Sequence, residues 1–112
     1  MVEIARIAKV IQRWDTKFLE RIYTAMELLY CRGRVPELAV RFAGKEAISK
    51  ALGTGIRGLQ WRDMEILPDV LGKPTVTLHG GALARAQQIG LTQFAISLSH
   101  SRDSAVAMVV AT

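Results

Sequence analysis

Apolar residues recur at helical spacing near the start of the chain. Ile7, Val10, Ile11 and Trp14 share one face of residues 5–14, as they do in an amphipathic helix. At about 100° per residue, Arg6, Lys9, Arg13 and Lys17 gather on the opposite face and make a basic stripe. Residues 1–4, apolar apart from Glu3, read as the end of a strand. Thr24 and Glu27 are spaced as a capping box, which predicts a helix running to about Arg32. Pro36 suits the first turn of a long helix and Gly53 its end. In that helix Val40, Ala43, Ala47, Ile48, Ala51 and Leu52 form the buried arc. Glu46, Ser49 and Lys50 fall on the other side, with Lys45 near its edge.

The period changes in the second half. Residues 64–67 are followed by a turn at Leu71-Gly72-Lys73-Pro74. Residues 75–79 alternate weakly and predict a strand. Residues 80–90 read as a short helix with Ala82, Leu83, Ala86 and Ile89 toward the core. Residues 94–100 alternate clearly: Phe94, Ile96 and Leu98 point one way, Ala95, Ser97 and Ser99 the other. Residues 101–104 turn the chain, and residues 105–111 return as a buried strand. Helices followed by mainly antiparallel strands predict an α+β fold, with helices packed on the sheet. No internal repeat or linker divides the chain, so residues 1–112 read as one domain.

Charge sharpens this picture. The net charge is +5, and it sits in one half. Residues 1–57 hold eleven Lys/Arg against six Asp/Glu, whereas residues 58–112 hold four of each. An electropositive half invites an anionic partner: nucleic acid, an anionic membrane, a polyphosphate cofactor or an acidic protein. The first half lacks the aromatic interleaving of common nucleic-acid modules. No apolar run approaches the roughly 20 residues that span a bilayer, and residues 1–10 lack the layout of a signal peptide. Cys31 is the only cysteine, which excludes an intramolecular disulfide and a cysteine-built zinc site. A reducing, cytoplasmic setting fits.

Residues 41–55 carry the candidate chemistry: Arg41-Phe42-Ala43-Gly44-Lys45-Glu46-Ala47-Ile48-Ser49-Lys50-Ala51-Leu52-Gly53-Thr54-Gly55. Glu46 and Lys50 by themselves read as a surface i,i+4 ion pair contributing about 0.3–0.5 kcal/mol. Ser49 and the Gly-Thr-Gly turn beside them add to this, because glycines let a phosphate approach backbone amides. The run closely resembles the signature of the holo-acyl-carrier-protein synthases, the short bacterial class of 4'-phosphopantetheinyl transferases. Only Gly44, where that family usually has Ala, departs from it.

The resemblance implies transfer of 4'-phosphopantetheine from coenzyme A to a serine of an acidic apo acyl carrier protein, with release of adenosine 3',5'-bisphosphate. It implies Mg²⁺ held by Glu46, with Lys50 at the pyrophosphate, and these two as the catalytic residues. It places Lys45, Ser49, Lys50, Gly53 and Lys73 at coenzyme A, together with Ser99 and His100 of a matching Ser-Leu-Ser-His segment. His79 has no such context. Arg6 and Arg13 match arginines that receive the carrier protein's acidic helix. The family's second metal carboxylate is an aspartate directly before the segment matched by Met1-Val2-Glu3-Ile4. Glu3 matches a glutamate after it and is not assigned as a ligand. Trimers with sites between subunits are also implied. The competing readings are a non-catalytic basic docking module for an acidic carrier protein and a general nucleic-acid binder.

Overall fold

The computed structural model describes residues 1–112. Its elements run β1 (Val2–Glu3), α1 (Ile4–Trp14), α2 (Thr16–Ile22), α3 (Ala25–Cys31) and α4 (Val35–Ala51). After a short 3-10 turn (Trp61–Asp63) come β2 (Met64–Pro68), β3 (Pro74–Leu78), α5 (Gly80–Gln88), β4 (Phe94–His100) and β5 (Ser104–Ala111). The fold is the expected α+β arrangement, and all strand pairs are antiparallel. β5 lies between β1 and β4 in one sheet, while β2 and β3 form a separate hairpin.

The long helix α4 organises the molecule. Pro36 sits in its first turn, where a missing N–H costs nothing. One side of α4 packs on β4 and β5, another on β2. Ile48 and Leu52 join Met64, Ile66, Ala82, Ala86 and Ile96 in the largest buried cluster. Ala39 and Val40 meet Ile7 and Ala105 in a second. Leu38 meets Ile22, Tyr23 and Cys31 in a third. Burial pushes the Cys31 thiol up to about 11, so it stays protonated and inert at neutral pH.

The capping box forms as expected. Thr24 Oγ1 accepts from the Glu27 N–H at 3.1 Å, and the Thr24 N–H donates to Glu27 Oε1 at 2.9 Å. The basic stripe is corrected. α1 stops at Trp14, because Asp15 takes φ +48° and turns the chain into α2. Lys17 therefore belongs to a second helix and does not extend the row of Arg6, Lys9 and Arg13. The helical period read over residues 5–14 ends with α1, but the basic row carried on to Lys17 crosses a break that no glycine or proline marks.

Gly44, the one departure from the family signature, has a packing explanation. A Cβ at Gly44 would stand 2.6 Å from Ile66 Cδ1 and 3.1 Å from Ile96 Cδ1. The isoleucine tips occupy the space of the missing methyl. Gly44→Ala gains about 1 kcal/mol of helix propensity and pays about 1–3 kcal/mol for overpacking. It is therefore expected to be destabilising alone and stabilising in an Ile66→Val background. Urea unfolding of the four-member cycle checks this; the same effect in both backgrounds would refute the packing explanation.

Candidate active site

The side chains of the signature divide by burial, and the division differs from the expected one. Arg41 and Lys45 turn inward. Lys45 is fully buried. Its Nζ donates to Glu27 Oε1 at 2.8 Å, to the Met64 carbonyl at 2.6 Å and to the Trp61 carbonyl at 3.2 Å. All three of its donors are occupied, so the assignment of Lys45 to coenzyme A is corrected: it is a structural lysine. Burial pulls its pKa below the ordinary lysine range, against the opposing attraction of Glu27. Glu27 Oε2 also accepts from the Ile66 N–H at 2.9 Å. Arg41 donates from Nε to the Ile66 carbonyl at 3.0 Å and pairs with Glu37 at 2.7 Å. The two cations thus clamp β2 onto α4. The signal available in the sequence was Glu27, an acid inside a capping box with an apolar helix behind it.

Partial burial works to raise the pKa of Glu65, on the same strand, but hydrogen bonds from Thr24 Oγ1 and His79 outweigh it and hold the carboxyl below its usual range. His79 thus serves the anchoring of β2 and α3.

Glu46 behaves differently from its neighbours. It is half-buried and enters none of the chain's three ion pairs. It lines a cavity of about 410 Å³ together with Glu3, Arg6, Ile7, Val10 and Phe42. β1 is only two residues long and α1 starts at once, which brings Glu3 to the same hollow as Glu46. Sequence reasoning had set Glu3 apart. Lys50 is exposed one turn further on, and Ser49 is buried with its hydroxyl donated to the Glu46 carbonyl at 2.7 Å. Gly53 takes φ +82° and Gly55 φ +59°, conformations that favour glycine.

The remaining candidates lie apart. Ser99 and His100 are exposed at the end of β4. His100 opposes Ala105, which packs with Ala39 and Val40 near the beginning of α4. Lys50 is ten residues on from Val40, roughly 15 Å along a helix at 1.5 Å per residue. Lys73 lines a cavity of about 310 Å³ with Phe94, Ala95 and Ile96 at the other end of β4, roughly 20 Å from His100 at about 3.3 Å per residue. A single copy of the chain does not gather Lys50, Lys73 and His100 into one site.

Arg6 borders the Glu46 cavity, and Arg13 is exposed with its guanidinium 5.3 Å from the Trp14 ring centroid. Trp14, Lys17, Phe18 and Arg21 line a shallow concavity of about 400 Å³ on the same side as Val10. Arg21 adds a cation beside Lys17 at this concavity, which the sequence analysis did not single out. A further concavity of about 520 Å³, between α3 and β2, is lined by Met26, Leu29, Tyr30, Arg32, Arg34, Leu67 and Pro68. It joins an aromatic ring and two guanidiniums, and no motif marked it.

Known proteins match this chain almost end to end. A family model described as the 4'-phosphopantetheinyl transferase superfamily matches residues 1–109. The chain is 43% identical to a holo-[acyl-carrier-protein] synthase of Herpetosiphon aurantiacus, covering 98% of this chain and 92% of the relative. It is 46% identical to one of Dehalococcoides mccartyi, at 99% and 92% coverage. In structure it is similar to Helicobacter pylori holo-[acyl-carrier-protein] synthase in complex with coenzyme A, with a TM-score of 0.90, 35% identity and coverage of 99% and 95%. With residues 41–55 forming one continuous helix-and-turn beside the Glu46 cavity, the chain belongs to the 4'-phosphopantetheinyl transferase superfamily.

Proposed function

We propose that this chain transfers the 4'-phosphopantetheine group of coenzyme A to a serine of an apo acyl carrier protein. The observation that carries the reading is the unpaired, half-buried Glu46 carboxylate at the wall of a cavity, one helical turn from the exposed Lys50. In the reaction the serine oxygen bonds to the phosphorus nearest the pantetheine. The bond from that phosphorus to the bridging oxygen breaks. Its electron pair leaves with adenosine 3',5'-bisphosphate, which takes, in net terms, the serine's proton. Such transfer depends on positioning and charge neutralisation more than on covalent catalysis.

No three carboxylate, imidazole or thiol groups converge in the chain. Glu46 offers a hard anionic oxygen that enters no ion pair, and Glu3 lines the same cavity. This fits Mg²⁺, which keeps water and substrate oxygens in its shell and, when bound, neutralises charge at the pyrophosphate. Lys50 provides a cation for the leaving phosphate, and Thr54 an amide for phosphate approach. The concavity between α3 and β2 suits the nucleotide end of coenzyme A, with Tyr30 and Leu29 for the base and Arg32 for a phosphate.

The separation of His100 and Lys73 from Lys50 supports a site shared between copies of the chain, and so a homotrimer. Val106, Met108 and Val110 project outward from β5, with Met108 68% exposed, an apolar face suited to burial on another copy. Sedimentation showing only a 12.4 kDa species would rule this out. The activity is tested by intact-mass measurement of an apo carrier protein incubated with this chain, coenzyme A and magnesium. Gain of one phosphopantetheinyl group is expected; an unchanged mass would leave the docking-module reading.

Carrier recognition separates from chemistry at Arg13. With Arg13→Glu, carrier-protein affinity is expected to fall about tenfold or more, through like-charge repulsion of an acidic partner. Coenzyme A affinity is expected to stay within about twofold. Titrating both ligands checks this, and equal loss of both would show that the face is not a dedicated docking surface.

A further inference from the structure

We infer that Arg85, on α5, is a positioning residue for the coenzyme A site: it pins the end of α4 and so sets the Gly53-Thr54-Gly55 turn. This rests on the reading of that turn as a phosphate-binding element.

Most of the carbonyls that close α4 are satisfied locally. Leu52 N–H donates to the Ile48 carbonyl at 3.0 Å, Gly53 N–H to Lys50 at 3.0 Å and Gly55 N–H to Ser49 at 3.1 Å. The Leu52 carbonyl is held from elsewhere in the fold: it accepts Arg85 Nε at 2.9 Å. The peptide plane that carries this carbonyl also carries the Gly53 N–H. Fixing the one therefore orients the other and the start of the turn. A guanidinium also complements the negative end of a helix dipole.

The turn this bond supports is built for a ligand. Thr54 N–H meets no acceptor within the chain. Gly53, at φ +82°, lies in contact range of Arg85: a Cβ there would stand 3.4 Å from Nη2. Thr54, Arg57 and Arg85 line one cavity of about 540 Å³ with no carboxylate in its wall. Arg85 is half-buried, with Nη1 directed to Gln88 Oε1 at 3.4 Å. These bonds hold its head in place, which a flexible surface arginine would not permit. Nothing in the family signature points to residue 85, because the contact crosses from α5 to α4 over thirty-three positions.

The test compares Arg85→Met, which keeps the apolar stem, with Arg85→Lys, which keeps a charged donor. In Arg85→Met the KM for coenzyme A is expected to rise about tenfold, the scale of one lost charge-assisted hydrogen bond. The KM for carrier protein and kcat at saturation should stay within about twofold. Arg85→Lys should recover most of the loss. Amide hydrogen exchange at Gly53 and Gly55 should accelerate in Arg85→Met while exchange in the middle of α4 does not. An unchanged KM for coenzyme A, or unchanged exchange at the turn, would overturn the inference while leaving the activity standing. A proportional loss of kcat and both KM values would also overturn it, as general destabilisation. Wild-type chain that takes up no coenzyme A in calorimetry would overturn the reading of the site and this inference with it. If Arg85→Met does not fold, Arg85→Gln, shorter and uncharged, takes its place, and a wild-type KM for coenzyme A with wild-type exchange at Gly53 and Gly55 in that variant would overturn the inference.

Discussion

Glu46→Gln is expected to reduce phosphopantetheine transfer by at least about a hundredfold, the scale of losing one electrostatic stabiliser of a transferring group. The substitution removes the charge and keeps the shape. Fold stability should change by no more than about 0.5 kcal/mol, because Glu46 takes part in no ion pair that the change would break. The informative measurement is the initial rate across a magnesium titration, beside urea unfolding of the same preparation. A rate that recovers fully at high magnesium would mean that Glu46 only raises metal affinity. A near-normal rate at every concentration would remove it from the machinery.

Lys45→Met should have the opposite profile: a large loss of stability, with the loss of activity following from it. The Lys45–Glu27 pair is 2.8 Å apart and both side chains are 0% exposed. Removing the cation leaves a buried carboxylate without its counter-charge and the Met64 carbonyl without its lysine donor, while the Trp61 carbonyl keeps the Met64 N–H. Breaking such a pair costs about 3–5 kcal/mol, a large share of the 5–15 kcal/mol that holds a typical domain together. Glu27→Gln alone should also destabilise, by stranding the lysine. The double substitution should be less harmful than the sum of the two, since neither charge is then left alone. Unfolding should be followed at one protein concentration throughout, because association adds to apparent stability. Two additive single effects would show that the pair is not coupled. Loss of coenzyme A binding in folded Lys45→Met, with stability intact, would reinstate Lys45 as a ligand.

Much of the architecture was legible in the residues because local physics dictated it. The period of Ile7, Val10, Ile11 and Trp14 specified α1. Thr24 and Glu27 satisfied one another's backbone donors and began α3. Pro36 and Gly53 bracketed α4. The alternation from Phe94 to Leu98 matched β4 residue for residue. Each of these is a short-range preference, readable within a few positions. α2 was missed because the break at Asp15 uses a residue that merely tolerates positive φ, and composition does not announce such a break.

The site was legible only in part, for a related reason. The signature identified Glu46 and Lys50 as a pair on one helix, and the structure leaves them accessible. Sequence spacing could not decide that two of three neighbouring cations, Arg41 and Lys45, turn inward while Lys50 stays exposed. Lys45 stands at the edge of the buried arc on a helical wheel, and either direction was open to it. Its orientation was decided by Glu27, 18 positions earlier, and by the carbonyls of Trp61 and Met64, more than fifteen positions later. Glu3 joined Glu46 because β1 pairs with β5 and delivers α1 across the middle of α4. Arg85 reached Leu52 because α5 packs back toward the end of that helix. Local patterning specified every helix but α2, the order of the strands and the chemical identity of the signature face. Tertiary structure alone decided which charges became core and which remained free for a ligand, because that choice depends on partners brought together from distant parts of the chain.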